Sequence, residues 1–270
     1  RANVSGASDR VNQLILVLWQ GATGYLFDGL NALAESNDVV LVHFRGKYSS
    51  QYSFDISSLA ASSRIQVFEI EPKAKELPRE LQNFVPTMII CSGWNVRLYR
   101  RICLKFRGRA VRVVAFDTQL TRSTRQRVGW LLARAFRSAL FDYAFVPGNR
   151  QVAFARYMGF KERVLENLLI TRFPRKPREY PADAPFVYVG RLSPEKGIDV
   201  LVAAFNEYKG ASEHPRALLV IGEGVERKLV EGIAGIELRG FLQPREVFDA
   251  LTNSYALIVP SHSEAWGVAL

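Results

Sequence analysis

A chain of 270 residues with 48% hydrophobic and 23% charged residues can bury two cores, at about 150 residues per domain, and is too apolar for intrinsic disorder. No run of about 18 uninterrupted apolar residues occurs, and the amino end lacks the basic-then-apolar layout of an export signal, so neither a spanning helix nor secretion is expected. The net charge of +10 is divided: residues 181–270 hold 8 Lys and Arg against 12 Asp and Glu, which leaves 28 against 14 on residues 1–180.

In chain order, LILVLW at 14–19 reads as a buried strand and QGATG at 20–24 as a turn. Tyr25 to Ala34 reads as a helix with Leu26, Leu30 and Leu33 on one face. Further strands are expected at 39–44, 65–70, 86–93, 110–116 and 143–148, and their alternation with helical stretches implies a parallel sheet covered on both faces. Gly21 and Gly24 either admit close backbone approach to a phosphate or sugar or make an ordinary tight turn. CSGW at 91–94 ends a strand, so Ser92, Trp94 and Asn95 are candidates for lining an acceptor cleft, with packing the other role open to Trp94. Asp117, in AFDTQLTRSTRQ, also follows a strand: it reaches a ligand, with Thr118 and Gln119 beside it, or it caps the next helix. FVPGNRQVAFARYMGF at 145–160 reads as strand, turn and helix, with Asn149 and Gln151 candidates for facing a cleft.

Cys91 and Cys103 are the only cysteines and form neither a disulfide framework nor a metal knuckle, which fits a reducing, cytoplasmic compartment. His43, His214 and His262 are scattered, and nothing in the pattern calls for a metal. The basicity concentrates between Arg97 and Arg137, where Arg97, Arg100, Arg101, Lys105, Arg107, Arg109, Arg112, Arg122, Arg125, Arg127, Arg134 and Arg137 meet a single acid, Asp117. Such a surface seeks polyanions. Trp130, Leu131, Leu132, Phe136, Leu140 and Phe141 read as a buried helix stripe rather than as exposed stacking aromatics, so an anionic membrane surface is preferred to nucleic acid as its partner. PRKPREYPADAP at 174–185, with four prolines, reads as a linker between a domain at 1–173 and another at 186–270.

The second domain opens on FVYVGRLSPEKGIDVLVAAF at 186–205. Phe186 to Gly190 is a short apolar strand, and Gly197 to Phe205 places Ile198, Leu201, Val202 and Phe205 on one helical face. Between them lie Arg191 and Lys196. A loop leaving the carboxyl end of a parallel strand and entering a helix presents free backbone N–H groups, and two cations there suit a diphosphate. LLVIGEG at 218–224, IELRGFL at 236–242 and ALIVPSHSEAWGVAL at 256–270 are apolar strands running into Gly, Pro or Ser.

Over residues 186–270 the chain resembles glycosyltransferase family 4 (glycosyl transferases group 1), retaining enzymes of GT-B architecture. VGRLSPEKGID is similar to the family's donor-diphosphate loop, opened by Gly190, in which the Arg and the Lys contact the pyrophosphate; IGEG is similar to its nucleotide-side glycine turn. PSHSEAWGVAL resembles the start of a signature with two glutamates, of which Glu264 is the first and the second would fall two positions beyond Leu270. The resemblance implies two Rossmann-like domains facing across a cleft, the second incomplete, in a fragment of a longer polypeptide. It implies that Arg191, Lys196 and Glu264 are catalytic. Gly222, Glu223, Gly240, Phe241 and Leu242 would hold base and ribose. Ser261, His262, Trp266, Gly267 and Val268 would flank the donor sugar or phosphate, and the glycine loop at Gly21 and Gly24 would line donor and acceptor. The family's His-containing segment is replaced here by Asp117, Thr118 and Gln119.

The function so implied is transfer of a sugar from a nucleotide-diphosphate donor, without cofactor or metal, to a glycan or lipid-linked acceptor, by a protein peripheral at the inner membrane face. Two other classes stay open: a GT-B protein of different chemistry, such as an epimerase or phosphorylase, and a non-catalytic polyanion-binding module.

Overall fold

The computed structural model describes residues 13–21, 24–44, 62–121, 137–168 and 183–264, with positions 123, 124, 126, 127, 129 and 181 besides. The chain divides between Ile170 and Thr171 into two units, each with its own sheet. Most of the 174–185 stretch lies outside the described residues.

Unit 1 contains β1 (Gln13–Trp19), α1 (Gly24–Ala34), β2 (Asn37–Phe44), β3 (Ile65–Ile70), β4 (Met88–Cys91), α2 (Arg97–Lys105), β5 (Val111–Ala115), β6 (Tyr143–Phe145), α3 (Asn149–Tyr157) and β7 (Val164–Leu165). The strands form one sheet in the order β3-β2-β1-β4-β5-β6-β7, with every pair parallel. Five consecutive residues of β1 are buried, as a strand covered on both faces requires. β1 pairs with β2 on one side and β4 on the other, so the winding reverses there and leaves a crevice at the carboxyl ends of β1 and β4. On α2, Leu98, Tyr99, Ile102 and Cys103 turn inward at helical spacing while Arg97, Arg101 and Lys105 stay exposed. The Tyr99 hydroxyl donates to the Trp19 carbonyl at 2.9 Å and fastens α2 beneath the end of β1.

Arg112 corrects the reading of the basic stretch as one outward face. It is 3% exposed on β5, and its Nε and Nη2 grip the Asp142 carboxylate at 3.0 and 2.8 Å. Its backbone N–H donates to the same carboxylate at 2.9 Å, and Nη1 donates to the Ala139 carbonyl. The partner lies 30 residues downstream, beyond the basic stretch from Arg97 to Arg137, so the cation is consumed inside the unit. Arg137, half-buried, stacks over the Phe160 ring at 4.9 Å. Leu140 and Phe141 are buried as expected, whereas Trp130, Leu131, Leu132, Phe136, Arg122, Arg125 and Arg134 lie outside the described residues.

Unit 2 contains β8 (Phe186–Val189), α4 (Ile198–Ala211), β9 (Leu218–Ile221), β10 (Ile236–Gly240), α5 (Pro244–Thr252) and β11 (Ala256–Leu257). Its sheet runs β10-β9-β8-β11, all parallel, so its winding reverses between β8 and β11. Ile198, Leu201 and Phe205 bury one face of α4 against Tyr188, Leu218 and Val220 of the sheet. The apolar run from residue 256 pairs with β8 at Ala256 and Leu257, the Ile258 N–H donates to the Val187 carbonyl at 2.8 Å, and the chain then forms the loop at 259–264. Helix α5 was not anticipated. Its signal is present in the sequence: Pro244 stands at the first turn, and the Glu246 carboxylate accepts from the Gln243 N–H at 2.8 Å.

Candidate active site

The loop from β8 to α4 meets the loop after β11 at the unit 2 crevice. Gly190 follows β8, a short 3-10 turn spans Pro194–Lys196, and Gly197 leads into α4 with φ of +66°. A side chain at 197 would be strained by that φ and its Cβ would overlap the Pro260 carbonyl, so glycine lets the two loops touch. The Ser263 N–H donates to the Glu195 carbonyl at 3.2 Å and joins them again. Above this contact Lys196 Nζ lies 2.7 Å from Glu264 Oε2, which also accepts from Ser261 Oγ at 3.2 Å. Three residues expected at the site, Lys196, Ser261 and Glu264, are thereby brought together from 68 residues apart.

Arg191 is 63% exposed and forms its ion pair with Glu195, outside the expected set, at 3.1 Å. Glu195 accepts from the Ser193 hydroxyl at 2.8 Å. That hydrogen bond, one from its own backbone N–H, and the charges of Arg191 and Lys196 hold its carboxyl below the usual range. Tyr188, also unanticipated, is buried and donates its hydroxyl to the Arg191 carbonyl at 2.8 Å, which fixes the backbone of the cation loop. Burial first, then the negative charge of Glu264 and Glu195, pushes the phenol up, so it stays a proton donor. His262 is exposed, 3.6 Å from Asp199 in the first turn of α4.

The loops after β9 and β10 close the crevice from the other side. Gly222 has φ of +143°, and a Cβ there would overlap the Gly190 carbonyl, so the close approach of these two turns demands glycine. Leu192 N–H donates to the Glu223 carbonyl at 2.9 Å, and Gly222 N–H to the Gly240 carbonyl at 2.8 Å. The Glu223 carboxylate lies against Gly240 and pairs with Arg227 at 2.6 Å. Phe241 and Leu242 are half-buried just past β10. Trp266, Gly267 and Val268 lie outside the described residues.

Unit 1 holds a cavity of about 410 Å³ at its own crevice, lined among others by Trp19, Ser92, Trp94, Asn95, Asp117 and Thr118. Ser92, Trp94, Asp117 and Thr118 are thus brought together, while Gln119 and the exposed Asn149 do not line it. Trp94 packs edge-on against Phe116 with centroids 5.7 Å apart, so packing and cavity lining are both its work. Asp117 is exposed and does not cap the next helix: Ser123 stands at that position, with its carbonyl accepting from Arg127 N–H at 3.0 Å. Gln151, 1% exposed, instead of facing a cleft donates to the Asp117 carbonyl at 3.2 Å and so holds the Asp117 loop. Gln20, absent from the expected set, takes Ser92 Oγ on its N–H at 3.0 Å and donates from Nε2 to the Ser92 carbonyl and Asn95 Oδ1 at 2.7 and 3.0 Å. It bridges the β1 and β4 loops across the switch point. Gly21 lies in that turn and Gly24 is the first residue of α1. Among the described residues no group of three or more His, Cys, Asp and Glu side chains converges for a metal ion, and no helix is long and apolar enough to cross a membrane.

Two Rossmann-like units with parallel sheets, each opening its ligand crevice where the strand order reverses, define a GT-B-type α/β protein. Residues 170–270 match the family described as Glycosyl transferases group 1. Solved structures share the fold across both units. Anabaena Alr3699/HepE, in complex with UDP and glucose, is 16% identical over 96% of this chain and 77% of its own, with a TM-score of 0.62. A variant of TarM from S. aureus, in complex with fondaparinux, alpha-GlcNAc-glycerol and UDP, is 10% identical over 95% and 83%, with a TM-score of 0.64. A glycosyltransferase from Rickettsia africae is 11% identical over 93% and 73%, with a TM-score of 0.61. No curated protein matches the chain in sequence.

Proposed function

We propose that the chain transfers a sugar, with retention at the anomeric carbon, from a nucleoside-diphosphate sugar to a glycan or lipid-linked acceptor in cell-surface polysaccharide or glycolipid synthesis. The observation that carries the reading is the Lys196–Glu264 pair at 2.7 Å at the unit 2 switch point, with Arg191 five residues earlier on the same loop. As the glycosidic bond breaks, negative charge grows on the outer phosphate, so cations fixed in advance stabilise the transition state more than the bound donor. Arg191 offers a planar fork for two oxygens and Lys196 a compact point charge. Glu264 accepts hydrogen bonds from donor-sugar hydroxyls, and the N–H groups in the first turn of α4 add to the phosphate site. The leaving phosphate assists attack on the same face, and no resident cofactor or metal takes part. The crevice of unit 1 receives the acceptor. The reading includes peripheral attachment at an anionic cytoplasmic leaflet through cations between residues 97 and 137.

Release of nucleoside diphosphate from a panel of nucleotide sugars, with and without acceptor, tests the assignment. Turnover is lost in Lys196→Ala and reduced in Arg191→Ala. Unchanged turnover in both variants would overturn it, and an isomerised nucleotide sugar formed without acceptor would move the chain to the epimerase class.

A further inference from the structure

The edge of the unit 1 sheet formed by the amino ends of its strands carries large apolar side chains in solvent: Val85 is 65% exposed, Leu104 49%, Val111 40% and Tyr143 38%. The backbone brings them to one place. Val111 opens β5, and its N–H donates at 2.9 Å to the carbonyl of Thr87, two residues after Val85. Tyr143 opens β6 opposite Val113. Leu104, near the end of α2, accepts from the Arg107 N–H at 3.2 Å in the turn that returns the chain to β5, where Arg109 and Ala110 both donate to the Phe106 carbonyl. That turn presents Lys105, Arg107 and Arg109, all exposed.

Cations dominate the turn from α2 to β5 that borders Val111. No acid occurs between Arg97 and Arg112, and Asp142, beside Tyr143, is gripped by Arg112. The neighbouring stretch 71–80 is balanced, with Glu71, Glu76 and Glu80 against Lys73, Lys75 and Arg79. Exposed aliphatic side chains within a cluster of cations match the boundary layer of an anionic bilayer, where apolar groups enter the acyl boundary and cations meet phosphates. A nucleic-acid surface would call for exposed aromatic platforms, and among the described residues at this edge Tyr143 alone is of that type.

We propose that this edge docks the protein on an anionic lipid surface, with Lys105, Arg107 and Arg109 at headgroup phosphates and Leu104, Val85 and Val111 in the interfacial layer. The proposal names the face that makes the attachment included in the functional reading, and it stands independently of the transfer chemistry. Docking there leaves the Trp94 and Asp117 crevice open, since that crevice lies at the opposite, carboxyl ends of the same strands.

Co-sedimentation of the 270-residue chain with phosphatidylglycerol vesicles and with phosphatidylcholine vesicles tests it. Each cation at the surface contributes on the order of fivefold in partitioning, so the double charge reversal Arg107→Glu with Arg109→Glu lowers binding to phosphatidylglycerol by about a hundredfold or more. Leu104→Gln, which keeps helix propensity, lowers it severalfold, and raised salt weakens it in the wild type. Circular dichroism and donor turnover confirm that the variants are folded. Equal binding to phosphatidylcholine vesicles, unchanged binding in both variants, or capture of RNA without binding to phosphatidylglycerol would overturn the proposal.

Discussion

The two switch points have the same winding and opposite chemistry. In each unit the fourth strand in pairing order returns beside the first, β4 beside β1 and β11 beside β8, and the crevice opens at their carboxyl ends. In unit 1 the loops are tied by neutral amides and a hydroxyl, Gln20 with Ser92 and Asn95, beside the indole of Trp94. In unit 2 they are tied by a charge pair, Lys196 with Glu264, while Arg191 pairs with Glu195 inside the first loop. Topology therefore decides where a ligand is met, and the first few residues past each strand decide what kind. A neutral cavity with one acid fits a hydroxyl-rich acceptor, while a cation-bearing crevice fits a diphosphate.

The comparison breaks most visibly away from both crevices, because charge is also used inside unit 1. Asp142→Ala leaves the Arg112 guanidinium buried without its partner and destabilises the chain by about 3–5 kcal/mol, read from urea denaturation. Asp117→Ala, at an exposed position, stays within about 0.5 kcal/mol. Equal effects of the two would show that the Arg112 pair is not the structural charge it is taken to be.

Next in size comes the unit 2 crevice. Lys196→Ala lowers donor turnover by about 10²–10³-fold, the range for removing one preorganised group facing developing charge. Arg191→Ala costs roughly tenfold, since Arg191 is 63% exposed and Lys196 17%, so water screens the first far more. Lys196→Arg does not restore the rate, because a fork cannot replace a point charge beside Glu264. A larger loss at Arg191 than at Lys196 would reverse the ranking that burial gives. In the unit 1 crevice, Asp117→Asn lowers acceptor-dependent turnover by about tenfold and leaves donor hydrolysis unchanged. A parallel fall in hydrolysis would mean that Asp117 serves the donor.

Much of this arrangement can be read from residues in sequence, for physical reasons that also mark where reading stops. Strands buried on both faces are unbroken apolar runs, so LILVLW and LLVI declare themselves, and glycines forced by close approach, Gly197 and Gly222, stand beside the loops they serve. Contacts between distant segments do not declare themselves. Gln20 meets Ser92 across 72 residues, and Glu264 becomes legible as the partner of Lys196 only once two loops meet across 68 residues. Arg112 misleads because its neighbours in sequence are surface cations while its own position faces inward on β5. Strand β7 has two residues, too few for any periodicity.

The smallest expected effect separates the two uses of carboxylates by acid. Burial pushes the Asp142 carboxyl up, but hydrogen bonds and charge from Arg112, with the charge of Arg163, outweigh it and leave the group below its ordinary value. A folded pKa lower than the unfolded one means that the unfolded chain binds the extra proton first. The stabilisation is complete above about pH 4 and is lost as pH falls through the lowered folded value. Glu195 is shifted in the same direction, but it sits in solvent, where screening leaves the pair with Arg191 little effect on folding. Urea midpoints measured from about pH 5 down to pH 2 should therefore fall less steeply in Asp142→Asn than in the wild type, and equally steeply in Glu195→Gln. A flattened slope in Glu195→Gln with none in Asp142→Asn would place the stabilising charge in the unit 2 crevice and undo the division between a folding charge in unit 1 and the charges proposed to face a ligand in unit 2.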